Sequence, residues 1–326
     1  MPIIHNVLVT GVGAVIGYGI VRSLRAMKQP VRIIGMDIYP DAAGQRWCDH
    51  FEMAALAAAP EYPDFICSLI RKYSVDLVIP GIEQDVSRMV KERSAWDDLG
   101  ARFVLNNPSL VAVCADKWLT AQSLVAAGFP AIKTRIEGNF DELARELGIP
   151  FLLKPRRSYA SKGIQTIHAE RDLEYWRIKL GDNFMVQEIV GDAENEYTVA
   201  AFGFGDGACG QKLILQRKLS GEGATAKARV VSISELSAMV DNLAMLFKPV
   251  GPTNFQFRYH AGQFLLLEIN PRLSSSTSLR TAFGYNEAEM CVEYYLARTR
   301  PAERSIRFGR AVRYIEDLVT YDCDTV

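Results

Sequence analysis

Apolar and polar positions at the start of the chain alternate in a way that predicts a parallel α/β sheet. Short apolar runs bounded by glycine or proline are typical of buried strands, and such a run occupies residues 6–10. Glycines follow this run, and Ile20, Val21 and Leu24 then recur on one helical face. The pattern continues with predicted strands over 31–36 and 77–79 and a predicted helix over 62–73. This alternation is typical of a Rossmann-like domain.

The rest of the chain has a different order of elements, which predicts an α+β region. A helix is expected from Pro108 to Ala127, where Gly128 ends it. Two strand patterns then flank a charged helix, and together they predict a small lobe. The expected elements of this region are strands over 151–154, 184–188 and 197–204, helices over 173–180 and 232–247, and a hairpin between 253 and 269.

The composition is that of an ordinary globular protein. The 326 residues are 49% hydrophobic and 23% charged, enough for about two domains. The formal net charge of -1 provides no positive field for a nucleic-acid backbone or an anionic membrane. No apolar run reaches the roughly 18 residues of a membrane span. Six widely separated cysteines indicate reduced thiols, so we expect a cytoplasmic protein that binds neither nucleic acid nor membrane.

The glycines after the first strand allow two interpretations. Gly11, Gly13 and Gly17 precede a helix, and Asp37 ends the second strand near the position of a ribose-binding acid in dinucleotide sites. The spacing is GxGxxxG, however, whereas a dinucleotide fingerprint has its third glycine one residue earlier. A close strand-to-helix turn is therefore favoured, and a nicotinamide-dependent oxidoreductase stays as an alternative.

The clearest chemical pattern lies towards the C-terminus. In the strand that ends the predicted hairpin, Glu268 and Asn270 project from one face because successive side chains alternate. A three-residue turn over 260–262 would place Gln256 on the same face, whereas an even turn would direct it away. Carboxylate and amide oxygens suit Mg²⁺, and a guanidinium such as that of Arg272 can contact phosphate. A hairpin with polar residues on its solvent face is the alternative.

This stretch resembles a known family. Residues 251–279, with Asn-Phe-Gln-Phe at 254–257 and Glu-Ile-Asn-Pro-Arg at 268–272, are similar to the ATP-grasp core of the carbamoyl phosphate synthetase large subunit. In that family the Gln, Glu and Asn hold magnesium, and the Arg contacts the transferred phosphate. The resemblance therefore implies metal ligands at Gln256, Glu268 and Asn270 and a catalytic Arg272.

Further ATP-grasp landmarks follow in the family order. The segment Phe151-Leu152-Leu153-Lys154-Pro155 resembles the strand whose lysine holds ATP phosphates, and residues 156–163 resemble the loop that covers them. Lys154 is expected at a strand end, outside the core. Residues 186–190 look like the hinge that reads adenine, and the acid entering the next strand resembles the ribose-binding Glu, with Glu194 as the fallback. The cofactor residues implied by the resemblance are Lys117, Lys154, Ser161, Gln187, Glu188, Val190 and Glu196.

Two pairs of residues are assigned from position alone. Lys227 and Arg229 lie in the polar stretch 216–229 and would reach the transferred phosphoryl group or the substrate carboxylate, with a solvated loop as the alternative. Glu83 and Asp85 follow a buried strand, at the sheet edge where ligands of open α/β sheets bind. Their carboxylates would accept the ammonium group of a substrate.

Together these patterns predict an α/β chain with a Rossmann-like preATP-grasp domain over 1–113 and a two-lobed α+β ATP-grasp domain over 114–305. The small lobe is expected at about 132–188, and 306–326 is expected to be a C-terminal tail. The implied activity is ligation that depends on ATP and Mg²⁺, in which a carboxylate is activated as an acyl phosphate and joined to an amine.

The resemblance also implies the accompanying components. They are one or two Mg²⁺ ions, for which Mn²⁺ would substitute, small-molecule carboxylate and amine substrates, and a homodimer. Two further alternatives are a half-subunit of the carbamoyl phosphate synthetase type and a non-catalytic regulator that binds nucleotide.

Overall fold

Three β-sheets organise the protein, and each belongs to one stretch of the chain. The computed structural model describes residues 4–158, 163–221 and 223–319. Within these ranges the chain forms fifteen strands and ten α-helices, with short 3-10 helices at Ala43–Trp47, Arg93–Leu99 and Ala193–Asn195. None of the helices in the described ranges is long and apolar enough to cross a membrane.

The N-terminal sheet is parallel and has five strands, in the order β3-β2-β1-β4-β5. Its strands are β1 (Asn6–Thr10), β2 (Arg32–Asp37), β3 (His50–Met53), β4 (Leu77–Ile79) and β5 (Arg102–Phe103), and its helices are α1 (Val15–Arg25), α2 (Tyr62–Tyr73) and α3 (Glu83–Lys91). The strand order reverses at β1 and β4, which pair directly. The carboxyl ends of these two strands therefore form the crevice where open α/β sheets bind ligands.

The glycine turn after β1 is a packing feature. A Cβ on Gly17 would lie 2.1 Å from the carbonyl oxygen of Gly11, so only glycine lets α1 start this close to β1. The Asp37 carboxylate accepts the N–H of Gly13 at 2.8 Å, which ties it to the turn. Asp37 therefore has a structural partner, as expected for a close strand-to-helix turn, and the nicotinamide alternative loses its ribose-binding acid.

Gly17→Ala should destabilise the N-terminal domain, because the new methyl group would overlap backbone that cannot move without displacing β1. Overpacking of this kind costs about 1–3 kcal/mol or more, which lowers the melting temperature by several degrees. Gly19→Ala, two residues along α1, is the matched control, since its Cβ would meet nothing closer than 3.5 Å. Thermal melts of both variants check this, and equal melting temperatures would show that the turn tolerates a side chain.

The helix predicted from Pro108 to Ala127 is two helices, α4 (Pro108–Cys114) and α5 (Lys117–Ala126). The prediction of one helix is wrong because Asp116 has extended backbone and its carboxylate accepts the N–H of Trp118 at 3.0 Å. A residue with this geometry is an N-cap and starts a new helix. The break sets Lys117 at the first position of α5.

The small lobe is built on a four-stranded antiparallel sheet in the order β6-β9-β7-β8. Its elements are β6 (Thr134–Arg135), α6 (Phe140–Leu147), β7 (Phe151–Pro155), β8 (Gln165–Ile167), α7 (Glu170–Leu180) and β9 (Phe184–Glu188). Leu143 of α6 and Leu173 of α7 pack with Phe151 and Val186 of the sheet, so both helices cover one face. The other face carries Lys154 and Gln187.

The large sheet is antiparallel, with six strands in the order β14-β13-β10-β11-β12-β15. Its elements are β10 (Glu196–Phe204), β11 (Leu213–Leu219), β12 (Thr225–Val231), α8 (Ser234–Phe247), β13 (Val250–His260), β14 (Gln263–Asn270), α9 (Thr277–Ala282), α10 (Glu287–Tyr295) and β15 (Arg310–Val312). One face packs on α8, through Val240 and Phe255. The other joins the core of the N-terminal domain, where Phe202 belongs to the same cluster as Ile20.

The predicted fold class is confirmed, namely a parallel Rossmann-like domain followed by a two-lobed α+β region. One detail of the predicted tail differs. Residues 310–312 form β15 and pair with Lys227–Arg229 of β12, so this part of the segment 306–326 extends the large sheet.

Candidate active site

The predicted metal ligands lie on the β13–β14 hairpin, and a β-bulge sets their register. The hairpin turns on two residues, Ala261 and Gly262, both with positive φ. Of the two turn lengths considered, the even one is therefore formed, and that turn alone would direct Gln256 away from Glu268. An irregularity between Gln256 and Phe257 inserts Leu267 as an extra residue on β14. Bulges shift register by one residue, and this one restores the predicted face.

Beyond the bulge, the hairpin pairs the site residues directly. Gln256 lies opposite Glu268, and Asn254 lies opposite Asn270. Directly opposed residues of antiparallel strands point to the same face, and residues two apart on one strand do so as well. The strands therefore collect one carboxylate and three amides on a single face of the large sheet.

Glu268 has the environment of a cation ligand. It is partly exposed, and within the described ranges its carboxylate has no hydrogen bond or ion pair to another side chain. Burial lowers the pKa of both Lys117 and Lys154, and the charge of Glu268 opposes that shift in each, so both lysines lie within electrostatic range of Glu268. In the part of the chain that the structure describes, no three His, Cys, Asp or Glu residues form a metal-binding group. The donors fit Mg²⁺ only if a bound molecule, such as a polyphosphate, supplies further oxygens.

Unlike Glu268, the predicted amide ligands Gln256 and Asn270 already accept hydrogen bonds from the protein. Arg217 donates to Gln256 Oε1 at 2.7 Å, and Arg272 donates to Asn270 Oδ1 at 3.0 Å. A carbonyl oxygen has two lone pairs, so each amide can still accept one more interaction. Both amides are thus held by an arginine and keep one acceptor position each, so Gln256, Glu268 and Asn270 all stay predicted metal ligands.

Glu196 is engaged by two arginines. Its Oε1 accepts from Arg217 at 2.9 and 3.2 Å, and its Oε2 accepts from Arg258 at 3.1 and 3.3 Å. The residue is 3% exposed. Two guanidinium groups thus occupy both oxygens of this carboxylate, so its role in binding ribose stays a prediction that requires one of them to be exchanged. The fallback, Glu194, is exposed and pairs with Lys218.

Lys154, Gln187 and Lys117 meet in one cavity between the small lobe and the large sheet. The walls are completed by α5 and by Leu266 and Leu267 next to the bulge. The cavity has a volume of about 20 Å³, which is room for little more than one water molecule. Three predicted nucleotide contacts thus converge beside the strand that carries Glu268.

Lys154 lies deeper than expected. It is 8% exposed and donates to Gln187 Oε1 at 2.6 Å, so the prediction that it stays outside the core is wrong. Burial, together with the neighbouring charges of Lys117 and Arg258, lowers the pKa of Lys154 to about 8, while the charge of Glu268 opposes this shift. Burial also lowers the pKa of Lys117, which donates to the carbonyl oxygen of Ser158 at 2.6 Å. Two cations held close together are a binding site for a polyanion.

The predicted hinge residues have protein partners. Glu188 accepts the N–H of Lys133 through its carboxylate at 2.9 Å, and its own N–H donates to the carbonyl of Lys133 at 3.1 Å. Val190 is buried, and its carbonyl accepts from Arg258 at 3.3 Å. The hinge therefore connects β9 of the small lobe to β10. Its polar groups form hydrogen bonds to Lys133 on one side and to Arg258 on the other. Ser161, the remaining predicted nucleotide contact, lies outside the described residues.

Lys227 and Arg229 point away from the site. Register pairs Arg229 with Gln216 and Lys227 with Lys218, on the face opposite Arg217. Arg229 donates to Gln216 Oε1 at 2.7 Å in an exposed position. The position of both residues therefore gives their catalytic role no support and it stays a prediction, whereas Arg217, which sequence reasoning missed, is the cation on the site face. Its signal was available, because Arg217 continues the buried face of Leu213 and Leu215 in steps of two.

The N-terminal domain contributes Glu83 to the site. Glu83 is the first residue of α3 and accepts from Arg272 Nε at 2.5 Å through its Oε2. Asp85 is 3% exposed and accepts from Tyr62 at 2.8 Å, and burial raises the pKa of its carboxyl. The substrate role of Asp85 stays a prediction without support from this structure, since a buried and hydrogen-bonded carboxylate is not open to a ligand. Glu83 remains accessible and faces the predicted phosphate contact.

A family model matches the C-terminal part of the chain. The family described as "ATP-grasp in the biosynthetic pathway with Ter operon" matches residues 182–318. The formate-dependent phosphoribosylglycinamide formyltransferase of Cronobacter sakazakii is 26% identical over 163 residues, 47% of this chain and 38% of that relative. The match thus spans well under two thirds of the relative's length.

Several solved structures are similar to this chain in fold over most of its length. The N5-carboxyaminoimidazole synthetase of Staphylococcus aureus, complexed with ADP, superposes with a TM-score of 0.72 at 16% identity, over 93% of this chain and 80% of that one. The biotin carboxylase domain of the Hydrogenobacter thermophilus 2-oxoglutarate carboxylase, a dimer with MgADP, ADP and bicarbonate, gives a TM-score of 0.68 at 15% identity, over 95% and 74%. At these identities the likeness is one of fold.

Proposed function

We propose, from the chain's membership of the ATP-grasp superfamily, that it is an ADP-forming ligase that activates a carboxylate with ATP and joins it to an amine. One observation carries the proposal. Lys117, Lys154 and Gln187 converge in one cavity against β14, whose end carries Glu268, Asn270 and Arg272. The prediction of an ATP-grasp ligase agrees with the relatives named above, which are synthetases, carboxylases and a formyltransferase.

The residues of this chain divide the work of holding a nucleotide. Lys154 and Lys117 would bind phosphate oxygens, because both are cations with little water around them. Glu268 and Asn270 would hold Mg²⁺, which supplies charge neutralisation to the transferred phosphoryl group. Arg272 adjoins Asn270 and would stabilise the same group. No protein nucleophile is needed, since the substrate carboxylate attacks phosphorus itself.

Nucleotide entry requires the lobes to part. A cavity of about 20 Å³ cannot take an adenine ring, so the small lobe would move away from Leu266 and Leu267 on binding. The hinge at Glu188 and Val190 is where the chain passes between the lobes. The closed form would then exclude water from the acyl phosphate.

The names of the relatives suggest which carboxylates to test first. Formate appears in the name of the formyltransferase, and bicarbonate is bound in the biotin carboxylase domain. We therefore include one-carbon acids among the candidate substrates, beside amino acids and dipeptides. The acceptor would be an amine, with Glu83 as the group that receives it. The division at residue 113, the homodimer and the cytoplasmic location stay predictions.

A screen for ADP release tests the proposal. Each candidate carboxylate is combined with ammonia or an amino acid in the presence of ATP and Mg²⁺, and ADP is measured by a coupled assay. The proposal expects one pair that stimulates ADP release well above either substrate alone. Nucleotide binding with no stimulated release by any pair would favour the regulator instead, and ADP release with bicarbonate and ammonia alone would favour the carbamoyl phosphate synthetase type.

A further inference from the structure

The guanidinium of Arg272 donates to three acceptors of the protein, although its proposed partner is a phosphate. Its Nε donates to Glu83 Oε2 at 2.5 Å, its Nη2 to Asn270 Oδ1 at 3.0 Å, and its Nη1 to the carbonyl oxygen of Leu273 at 2.9 Å. Each nitrogen of the guanidinium therefore has an acceptor. One N–H on each Nη stays free, but the charge of the guanidinium is offset by Glu83, so its full charge reaches a transferred phosphoryl group only once that carboxylate has another partner.

Glu83 is the partner that can be exchanged. Asn270 and Leu273 are within two residues of Arg272 in the chain, so their bonds are local. Glu83 instead comes from the N-terminal domain, 189 residues away, and is the one charged acceptor of the three. Its side chain is 31% exposed, against 13% for Arg272, so a soluble cation can reach the carboxylate from the crevice. Its neighbour Asp85 has no such access.

The position of Glu83 relates this pair to the amine substrate. Glu83 begins α3 directly after β4, at the reversal of strand order where open sheets bind ligands. A ligand there with an ammonium group would compete with Arg272 for the same carboxylate. Both are cations that form charge-assisted hydrogen bonds, so one can replace the other without leaving Glu83 unpaired.

We propose that the ion pair between Glu83 and Arg272 makes phosphoryl transfer depend on the amine substrate. The ammonium group of the amine takes Glu83, and the guanidinium that it displaces turns to the γ-phosphate beside Asn270. Glu83 is thus a positioning residue for Arg272 as well as a receptor for the amine. The inference rests on the proposed ligase function and specifies its acceptor, which is an amine that binds in its protonated form.

This coupling would protect the acyl phosphate from water. While the acceptor is absent, Arg272 stays on Glu83 and the γ-phosphate lacks one of its cations, so ATP is cleaved slowly. Once the amine binds, the missing charge is supplied, and the ammonium group becomes a nucleophile by passing a proton to the Glu83 carboxylate that holds it. An uncharged acceptor, such as an amide, would not displace Arg272 and would not stimulate ADP formation.

Nucleotide binding tests the gate without requiring turnover. The dissociation constants of Mg²⁺ complexes of ADP and of a non-hydrolysable ATP analogue are measured by calorimetry for wild type, Glu83→Gln, Arg272→Ala and the double variant. Glu83→Gln frees Arg272, so it should tighten the analogue about tenfold and leave ADP unchanged. The gain should vanish in the double variant, because it acts through Arg272. Gln84→Ala, an exposed neighbour on α3, is the control and should match wild type.

The outcomes separate the gate from the ligase function. If Glu83→Gln leaves the preference for the analogue over ADP at its wild-type value, the gate is wrong and the proposed function stands. If wild type binds neither nucleotide, both are wrong. Should Glu83→Gln fail to fold, Glu83→Asp lengthens the ion pair and should give a smaller gain in the same direction. In the active enzyme, Glu83→Gln should also raise ADP release measured with the carboxylate alone.

Discussion

Glu268→Gln should lower the rate of Mg²⁺-dependent ADP formation by about 10²- to 10³-fold. On the β13–β14 hairpin, Glu268 supplies the one carboxylate beside Gln256, Asn254 and Asn270. Glutamine keeps the size and one oxygen ligand but removes the negative charge that offsets the metal ion. Within the described residues this carboxylate has no side-chain partner, so its loss leaves no other group unpaired and the fold should persist.

The measurement is ADP release across a titration of Mg²⁺, together with the melting temperature of the protein without nucleotide. Glu194→Gln is the matched control, because Glu194 lies in the 3-10 helix just before β10, is exposed and pairs with Lys218. Asn270→Ala should show the same shift in Mg²⁺ dependence as Glu268→Gln. Wild-type turnover and Mg²⁺ dependence in both site variants would remove these two residues from the metal site.

Lys154→Met should weaken nucleotide binding by about 10- to 100-fold, the value of a hydrogen bond to a charged group. Methionine fills the same buried space, and burial already disfavours the Lys154 cation. The variant removes a buried cation, which stabilises the free protein, but Gln187 loses its hydrogen-bond donor, which destabilises it. Because the two effects oppose each other, the melting temperature of the free protein should change little. Lys179→Met, an exposed lysine of the same lobe, is the control. Calorimetry with ADP and Mg²⁺ distinguishes the two variants.

Lys154 should also make nucleotide affinity depend on pH, and Lys154→Met should lose that dependence. Burial lowers the pKa of Lys154 to about 8, so its charge is present at pH 7 and is lost as the pH rises through 8. A bound polyphosphate favours the charged form and raises that pKa, so affinity should fall by up to about tenfold per pH unit above 8. The profile of Lys154→Met should be flatter. A wild-type affinity that is constant from pH 7 to 9.5 would contradict the contact between Lys154 and phosphate.

Much of the fold could be predicted because its signals are local. The strands Asn6–Thr10, Leu77–Ile79 and Phe184–Glu188 and the helix Tyr62–Tyr73 have the predicted bounds, since each is a clear apolar run or helical face. The hairpin register depended on something less visible. A two-residue turn and a bulge at Leu267 compensate each other, and neither can be read from alternation alone.

Site residues were predicted where a motif fixes both position and face. Lys154 and Gln187 were predicted from segments that resemble the family, and in the structure their strands pair side by side, with Gln187 opposite Leu152. Glu196 was assigned to ribose by resemblance alone. Its partners, Arg217 and Arg258, come from other strands, and only the folded sheet brings them together, so the sequence did not show that Glu196 is paired. Burial of a charge is decided by such distant partners, which local sequence does not reveal.

A second buried cluster was equally invisible. Arg280 is completely buried, forms an ion pair with Glu287, and donates to Thr198 at 2.9 Å and also to Asn254. It therefore fixes the amide opposite Asn270 from beneath the site. A lone arginine in a short helix gives no sign of this role, because its partners lie seven to 82 residues away along the chain.

The most direct test of the account is a crystal structure of the chain with Mg²⁺ and a non-hydrolysable ATP analogue. We expect the metal ion to bind Glu268, Asn270 and phosphate oxygens, with Lys154 and Lys117 on the phosphates and the adenine ring in an enlarged cavity beside Leu266 and Leu267. A nucleotide bound instead at the glycine turn after β1, or a β13–β14 hairpin that contacts neither metal nor phosphate at saturating ligand, would contradict the account.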